Sequence, residues 1–340
     1  MLNERVWGSN DETVANSDID LDLAYVTLKK FLYTPLTLIV GRQELRLGSG
    51  LVVGDPLTNR TCDADASALS AGLRDLSSRK AFDGIVGILD YSPLTLILGY
   101  LSVDEDDIEV SQDDVNAYAI NAAYDFGTKD TIGELYLVTK EANKGEVNNY
   151  GLRVVSAPLE NLDVNGEFAY QTRKGIRDDS KAASSTALLL GATYVLPDVA
   201  WTPSIGVDYT RLGENWDVMF EDQTPADIAN ALFENTNLQV IGVTVTAKPM
   251  EDVTAKLRYA NLCLVKGVSS LNGGWEDGGY SGMNSDKEAL GNELDLSLTY
   301  DYTEDVQLGL NLGYLNPGKA FSTSNREEAT QVIGSMKVTF

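Results

Sequence analysis

The feature that most limits the fold is a two-residue alternation of hydrophobic and polar side chains, which is typical of β-strands with one apolar face. The alternation is clearest at 289–300. There the apolar face carries Leu290, Leu294, Leu296, Leu298 and Tyr300, and the polar face carries Glu293, Asp295, Ser297 and Thr299. About fifteen such segments of roughly ten to fourteen residues occur, close to the length of a tilted membrane-spanning strand. The chain is therefore predicted to be all-β.

The connections between these segments alternate between short and long. Short connections with turn residues occur at 33–35, 91–93, 127–129, 157–159, 196–198, 248–250 and 303–305. Longer polar segments lie between them, at 48–82, 103–114, 141–147, 174–184, 213–236, 267–288 and 316–328. Outer-membrane barrels show this asymmetry, with tight periplasmic turns and long extracellular loops. The pattern predicts a transmembrane antiparallel up-and-down β-barrel.

The barrel is expected to be one domain over residues 1–340, with sixteen or eighteen strands, because bacterial single-chain barrels have even strand numbers. Counting back from the last strand makes 18–30 a descending strand, so an ascending strand should precede it. Residues 1–8 fit the end of that strand. The first residues lack the pattern of a signal peptide, so a signal peptide, with or without further strands, is expected to be missing from this end.

Composition excludes several function classes. The chain has no His, 51 Asp+Glu against 26 Lys+Arg, and a net charge of −25. Catalytic sites of the Ser-His-Asp or Cys-His type and imidazole metal ligands are therefore excluded. Nucleic-acid binding is not expected, because the chain lacks a basic face that could replace phosphate counterions. We predict no enzyme activity, no cofactor and no metal site.

Aromatic residues near the strand ends predict two membrane-interface girdles. Those near short turns are Tyr91, Tyr124, Phe126, Tyr194, Trp201, Tyr300 and Phe340, and those near long loops are Tyr100, Tyr118, Tyr170, Tyr209, Tyr259 and Tyr314. The last strand places Met336, Val338 and Phe340 on one face and ends in an aromatic residue. This end is similar to the C-terminal signal by which outer-membrane barrels are inserted.

A narrower similarity lies in 18–54, where an Asp-rich strand leads to AYVTL, a short turn and GRQEL. Gly41, Arg42 and Gln43, followed by Gly48, resemble the alginate-export family of outer-membrane barrels. The resemblance implies a barrel in which the GRQ stretch lies on a strand that leads to a long loop. The type member of that family exports a polyanionic polysaccharide through an Arg-rich lumen.

The polar faces of the strands predict which charged residues line the lumen. The expected bases are Arg42, Arg46, Arg153, Arg173, Lys256, Arg258 and Lys337, and the acids are Asp20, Asp22, Asp90, Glu134, Asp163, Glu167, Asp208, Glu293 and Asp295. This mixed, slightly acidic lumen argues against a dedicated polyanion exporter. The alternative interpretation is that these charges only form cross-strand pairs within the wall.

Several loop features leave alternatives open. Residues 65–74 of the first long loop have helical spacing, so this loop either folds into the barrel or packs on its outer rim. Thr224 and Pro225 are predicted to begin a short helix, as N-cap and first helical residue. The acidic run 104–109 fits a solvated loop better than a Ca²⁺ or Mg²⁺ site. Pairing of Cys62 with Cys263 is left open.

These features predict a porin-like outer-membrane channel for small hydrophilic or saccharide solutes. Charged wall residues and an infolded loop would set its selectivity. The alternative is a structural barrel that acts as a sheath or anchor for a protein partner in the lumen or periplasm. Other expected partners are outer-membrane lipid, lipopolysaccharide, the barrel assembly machinery and the solute itself.

Overall fold

The computed structural model describes residues 2–4, 18–20, 22–56, 80–104, 115–142, 145–174, 183–271 and 280–339. Its strands are β1 Leu2–Glu4, β2 Asp18–Asp20, β3 Ala24–Lys29, β4 Leu36–Glu44, β5 Ala81–Asp90, β6 Leu94–Asp104, β7 Val115–Asp125, β8 Ile132–Ala142, β9 Gly145–Leu159, β10 Leu162–Lys174, β11 Ala183–Val195, β12 Ser204–Leu212, β13 Leu238–Met250, β14 Val253–Leu264, β15 Ser270–Leu271, β16 Tyr280–Ser281, β17 Ala289–Thr303, β18 Val306–Pro317 and β19 Ala329–Val338. Helix α1 covers Asp227–Leu232, and a 3-10 turn covers Thr323–Asn325.

Fifteen of these strands form one antiparallel meander, which confirms the predicted fold class. The order is β3 to β14 in sequence, followed by β17, β18 and β19. The small pairs β1–β2 and β15–β16 lie outside this sheet. β1 is antiparallel to β2 and falls within 1–8, where a preceding strand is predicted. The fifteen strands of the described sheet are one fewer than the lower predicted count, and the described residues leave the total open.

Strands that are far apart in the sheet contact the same loop, which shows that the sheet curls into a barrel. Loop 213–237, between β12 and β13, contacts β5, β8, β10 and β17. Such contacts require the wall to surround the loop. No helix in the described ranges is long and apolar enough to cross a membrane.

Apolar side chains on the outer face form the predicted exposed belt. The exposed aromatic residues include Tyr91, Tyr124, Phe126, Tyr194, Trp201 and Tyr300 near short connections, and Tyr100, Tyr118, Tyr170, Tyr259 and Tyr314 near long ones. Tyr209 is half-buried, and Phe340 lies outside the described residues. A water-exposed surface would not carry a continuous apolar belt with aromatic borders, whereas a lipid-facing one does.

The inner face carries an apolar cluster where two loops pack against it. The buried wall residues of this cluster are Phe82, Val86, Leu101, Ala117, Ala119, Tyr136, Val138, Val147, Ala169, Ala187, Leu189 and Leu212. The loops contribute Leu47, Leu51, Val52, Val53, Trp216, Met219 and Phe220. Residues 45–56 therefore fold into the barrel. The helix predicted at 65–74 lies outside the described residues.

Helix α1 anchors a second cluster on the other side of the lumen. Ile228, Ala229 and Phe233 pack with Leu238, Leu262, Leu290, Leu315 and Phe321. The helix begins two residues later than predicted, with Ala226 as N-cap and no side-chain cap of its own. The N-cap prediction for Thr224 is therefore wrong, because a wall carboxylate takes over the capping role, as described below.

Candidate functional site

The candidate site is the lumen at the level where loops 45–56 and 213–237 meet. The Phe220 N–H donates to Val52 O (3.1 Å), and the Gly54 N–H donates to Phe220 O (2.7 Å). The Asp222 N–H donates to Gly50 O at 2.8 Å. Phe220 also packs edge-on against Phe82 of β5, with ring centroids 5.9 Å apart. The two loops therefore form one joined obstruction across the barrel.

A buried ion pair holds loop 213–237 to the wall on the β8–β10 side. Lys140 Nζ lies 3.0 Å from Asp217 Oδ1, and their side chains are only 7% and 3% exposed. Gln171 of β10 donates to Asp217 O and accepts from the Asp217 N–H, both at 2.8 Å. The Met219 N–H also donates to Asp217 Oδ1 (2.9 Å). These bonds offset the desolvation of both charges.

Arg153 of β9 lies between two wall carboxylates. It forms an ion pair with Glu134 of β8 and places its Nε 3.8 Å from Glu167 of β10. The Tyr136 hydroxyl donates to Glu167 Oε1 at 2.7 Å. Gly48 of the first loop has φ +58°, and an added Cβ there would lie 3.4 Å from Arg153 Cδ. The loop thus reaches this cluster, and glycine permits the backbone to turn there.

Another charged cluster lies where the two loops join. Asp222 forms ion pairs with Arg46 and with Lys80, whose Nζ is 2.5 Å from Asp222 Oδ1. The Arg46 side chain also donates to the Ser49 backbone carbonyl and is 48% exposed. Asp222 thus lies between two bases, and the partial exposure of Arg46 and Lys80 shows that water reaches this part of the lumen.

Two wall residues hold the start of α1. Arg258 of β14 donates to Asp208 of β12 at 2.6 and 2.9 Å, and to Pro225 O at 2.8 and 3.1 Å. Glu293 of β17 accepts the N–H groups of Ile228 (2.5 Å) and Ala229 (2.9 Å). This carboxylate satisfies two of the N–H groups that a helix leaves unpaired at its start. Asp295 is cross-strand neighbour to Arg258 and is buried.

Replacing Glu293 by Ala should release the start of α1. The two N–H groups would lose their acceptor, at a cost of about 1–3 kcal/mol for each group that stays buried. Hydrogen exchange at 228–233 is expected to accelerate by at least an order of magnitude. The Glu293→Gln variant is the matched control, because its amide oxygen still accepts one bond, and it should show an intermediate rate. Equal protection in wild type and E293A would contradict the capping role.

The other predicted lumen bases are distributed along the inner wall, except for one. Arg173 Nη2 donates to Asn215 Oδ1 of loop 213–237 at 3.2 Å. Lys256 is exposed and shares a face of β14 with Arg258. Arg42 is instead on the face of β4 opposite to Ile39, which packs on the inner cluster. It pairs there with Asp83, which is next to the inward Phe82.

The placement of Arg42 corrects the sequence prediction, and it has a physical reason. At this level the first loop packs against β4, so the inner face carries the apolar Ile39 beside the polar Gln43, and polarity no longer marks the inner face. Val40 and Ile85, on the same outward face as Arg42, are exposed. Arg42 and Asp83 therefore lie at the outer edge of the apolar belt.

For the remaining predicted residues the structure gives the burial or the strand pairing. Asp22 is half-buried and lies just before β3. The backbone of Asp20 pairs with that of Leu2, and the Asp20 side chain is not among the described ones. Met336 and Val338 are exposed on the outer face and pair with Leu308 and Val306. Their role as an assembly signal stays a prediction.

Sequence reasoning missed the anchors of the loops. Lys140 is six residues after Glu134 on β8 and therefore shares its face, so alternation alone predicts that Lys140 faces the lumen. Asp217 and Asp222 lie in an aperiodic loop, where no sequence signal assigns a partner. Among the described residues, no cluster of three or more Cys, Asp or Glu is arranged to hold a metal ion. Cys263 carries a free thiol, whereas Cys62 and 105–114 lie outside the described residues.

Comparison with protein families gives one match. The sequence model of a family described as alginate export matches residues 3–335. No curated protein matches the sequence.

Solved structures with the same fold include outer-membrane proteins of low sequence identity. OccK5 (OpdH) of Pseudomonas aeruginosa has a TM-score of 0.59 at 10% identity, covering 96% of this chain and 83% of that one. OccAB1 of Acinetobacter baumannii has a TM-score of 0.56 at 11% identity, covering 90% of this chain and 74% of that one. The outer membrane protein OprD from Pseudomonas aeruginosa has a TM-score of 0.53 at 13% identity, covering 88% of this chain and 74% of that one. At these identities, the similarity is one of fold.

Proposed function

This chain belongs to the alginate export family, and we propose that it is an outer-membrane channel for small hydrophilic or saccharide solutes. The family and the barrel fold together support a channel-like barrel in the outer membrane. We further propose that loops 45–56 and 213–237 form its constriction and that the charged wall beside them sets its selectivity.

One observation carries this proposal: two loops meet inside the barrel and are held there by charged wall residues. Three inner bases of the wall lie beside carboxylates: Arg153 beside Glu134 and Glu167, Arg258 beside Asp208, and Lys140 beside Asp217. A long polyanion needs a continuous row of bases, whereas alternating charges favour short polar solutes with both donors and acceptors. The mixed wall therefore favours small solutes over a charged polysaccharide.

The direct test is single-channel conductance of the refolded protein in a planar bilayer. Steady conductance that small sugars reduce in a concentration-dependent way would support the proposal. A correctly folded, heat-modifiable barrel without conductance would contradict it. That result would favour the alternative in which the barrel is a sheath or anchor for a partner protein.

The charge of the Arg153 cluster should set ion preference. Replacing Arg153 by Gln leaves Glu134 and Glu167 without their base, so local cation concentration rises. The permeability ratio of cation to anion is expected to increase roughly twofold or more. Reversal potential under a KCl gradient measures this ratio directly.

Arg42 provides the matched control for this prediction. It is also an Arg paired with an acid on a strand, but it lies on the outer face with Asp83. R42Q should therefore leave the reversal potential unchanged. Equal shifts in R42Q and R153Q would mean that the wall cluster does not act through the lumen.

A further inference from the structure

Two carboxylic side chains of β17 are buried side by side against helix α1. Glu293 is 0% exposed and Asp295 is 3% exposed. The two residues are two positions apart on a strand, so they share its inner face and their Cα atoms lie about 7 Å apart. Their carboxyl groups come within hydrogen-bonding reach of each other. Two ionised carboxylates this close in a buried place repel each other, so their charge is a property of the pair.

The two carboxyl groups differ in their hydrogen bonds. Both oxygens of Glu293 accept N–H groups of α1, from Ile228 and Ala229. Neither oxygen of Asp295 accepts a hydrogen bond from a described residue. A buried carboxylate without a donor carries the full cost of its desolvation. A proton on Asp295 removes this charge and makes the side chain a donor, and the Glu293 carboxylate is an acceptor within its reach.

The neighbouring base Arg258 has no N–H group left for Asp295. It is the cross-strand partner of Asp295 on β14. Arginine has five side-chain N–H donors. Two of those of Arg258 bond to Asp208, two to Pro225 O and one to Thr244. Asp295 is therefore attracted electrostatically by Arg258 but receives no hydrogen bond from it.

The groups that surround the pair leave an excess of negative charge. Three further charged side chains lie on the strands and the helix packed around it: Asp208 of β12, Asp227 of α1 and Arg258 of β14. The facing residues of β13, β18 and β19 do not ionise: Gly242, Thr244, Gly313, Leu315, Ala329 and Gln331. Lys256, the next inward residue of β14, is exposed to water. Among the described residues, four carboxyl groups therefore surround Arg258, and a bound proton reduces this imbalance.

We propose that Glu293 and Asp295 hold one proton between them and that this proton keeps α1 in the lumen. With the proton bound, Asp295 donates to Glu293, and Glu293 still accepts both N–H groups of α1. Without the proton, the two carboxylates and Asp227 repel each other at the start of the helix. This regulation rests on the proposed function, because α1 is part of loop 213–237 and thus of the proposed constriction.

The proton links the position of the loop to pH in one direction. Buried carboxyl groups keep a proton up to about pH 8–9 in documented cases. A proton that is bound only while α1 is in place stabilises that state, and the stabilisation is lost as the pH rises and the proton leaves. The constriction is therefore expected to loosen towards alkaline pH.

Infrared spectroscopy of the refolded barrel tests the proton itself. A protonated carboxyl group has a C=O stretch at higher frequency than a carboxylate, and the band shifts in heavy water. The difference spectrum of wild type minus Asp295→Asn is expected to contain this band at neutral pH and to lose it at about pH 10. Glu293→Gln also leaves a single carboxyl group and serves as the second variant. Absence of the band from both difference spectra at neutral pH would overturn the proposal.

Amide exchange of α1 tests the coupling to the loop. Protection of 228–233, corrected for the intrinsic pH dependence of exchange, is expected to fall at least tenfold from about pH 6 to about pH 9 in wild type. Asp295→Asn keeps a donor towards Glu293 at every pH, so its protection should stay constant. The matched control is Asp301→Asn, because Asp301 is on the same face of β17 but is exposed. This control should show the wild-type fall.

Two outcomes would contradict the coupling. One is an equal fall in wild type and Asp295→Asn, and the other is constant protection in wild type. Both readouts come from the folded barrel and do not require conduction. A barrel that conducts but fails them lacks only the proton control, whereas a folded barrel without conductance contradicts the proposed function itself.

Discussion

Excision of loop 213–237 is expected to raise the single-channel conductance about threefold or more, because the loop obstructs the lumen. The fold allows a clean excision. Leu212 and Leu238 are the last paired residues of β12 and β13, so an Asn-Gly dipeptide can replace 213–237 as a two-residue hairpin turn. The anchors of the loop, including Asp217 and α1, are removed together with it.

The variant should still fold, since the ladder of the barrel wall is left intact. Heat modifiability on gels and the β-sheet circular dichroism signal are the folding checks. Conductance per channel is the decisive measurement, and larger sugars should also enter. An unchanged conductance in a folded variant would show that solutes bypass this loop, and the constriction would then have to be sought elsewhere.

Replacement of Lys140 by Met is expected to detach the loop from the wall. Asp217 would be left as a buried charge without its base, and breaking a buried pair in this way costs about 3–5 kcal/mol. Gln171 still bonds the Asp217 backbone, so the barrel itself should persist. Hydrogen exchange at the amides of Asp217 and Met219 is expected to accelerate at least a hundredfold, and the open-channel current should become noisy.

Two further variants separate the ion pair from a general effect of charge. The double variant K140M/D217N removes both charges and should recover most of the protection, because the Asn amide oxygen still accepts the Met219 N–H and no buried charge is left without its partner. K266Q is the surface control. Lys266, which follows β14, places its Nζ 2.7 Å from Oε2 of Glu214 in loop 213–237, but both side chains are largely exposed. Exposed ion pairs of this kind contribute under about 1 kcal/mol to stability. Equal effects of K140M and K266Q would contradict the buried anchor.

Comparison of β4 with β17 shows where sequence reasoning succeeds and where it fails. On β17, alternation alone predicts that Glu293 and Asp295 face inward, and both are buried there. On β4, the same reasoning predicts that Arg42 faces inward, whereas the inward residues include Ile39 and Gln43. The first loop causes this difference, because it packs against the inner face of β4. Polar side chains mark the inner face only where that face contacts water or holds charged residues that bind a loop.

The turns predicted at 33–35 and 91–93 both lie between consecutive strands of the barrel. Turn residues such as Pro35 and Pro93 act through local backbone geometry, which neighbouring residues alone decide. The partners of Asp217 and Asp222 depend on contacts across 77 and 142 residues of sequence. No local rule selects a partner at such a distance, so the anchors became visible only in the folded barrel.

The sequence by itself determined the barrel: alternation of period two, short and long connections in turn, and aromatic residues at the strand ends. These are local consequences of a strand that faces lipid on one side and must turn back at each membrane surface. The tertiary structure alone decided how the lumen is filled and which charges meet there. Those properties arise when distant segments are brought together, and the energy of such contacts is not encoded at any single position.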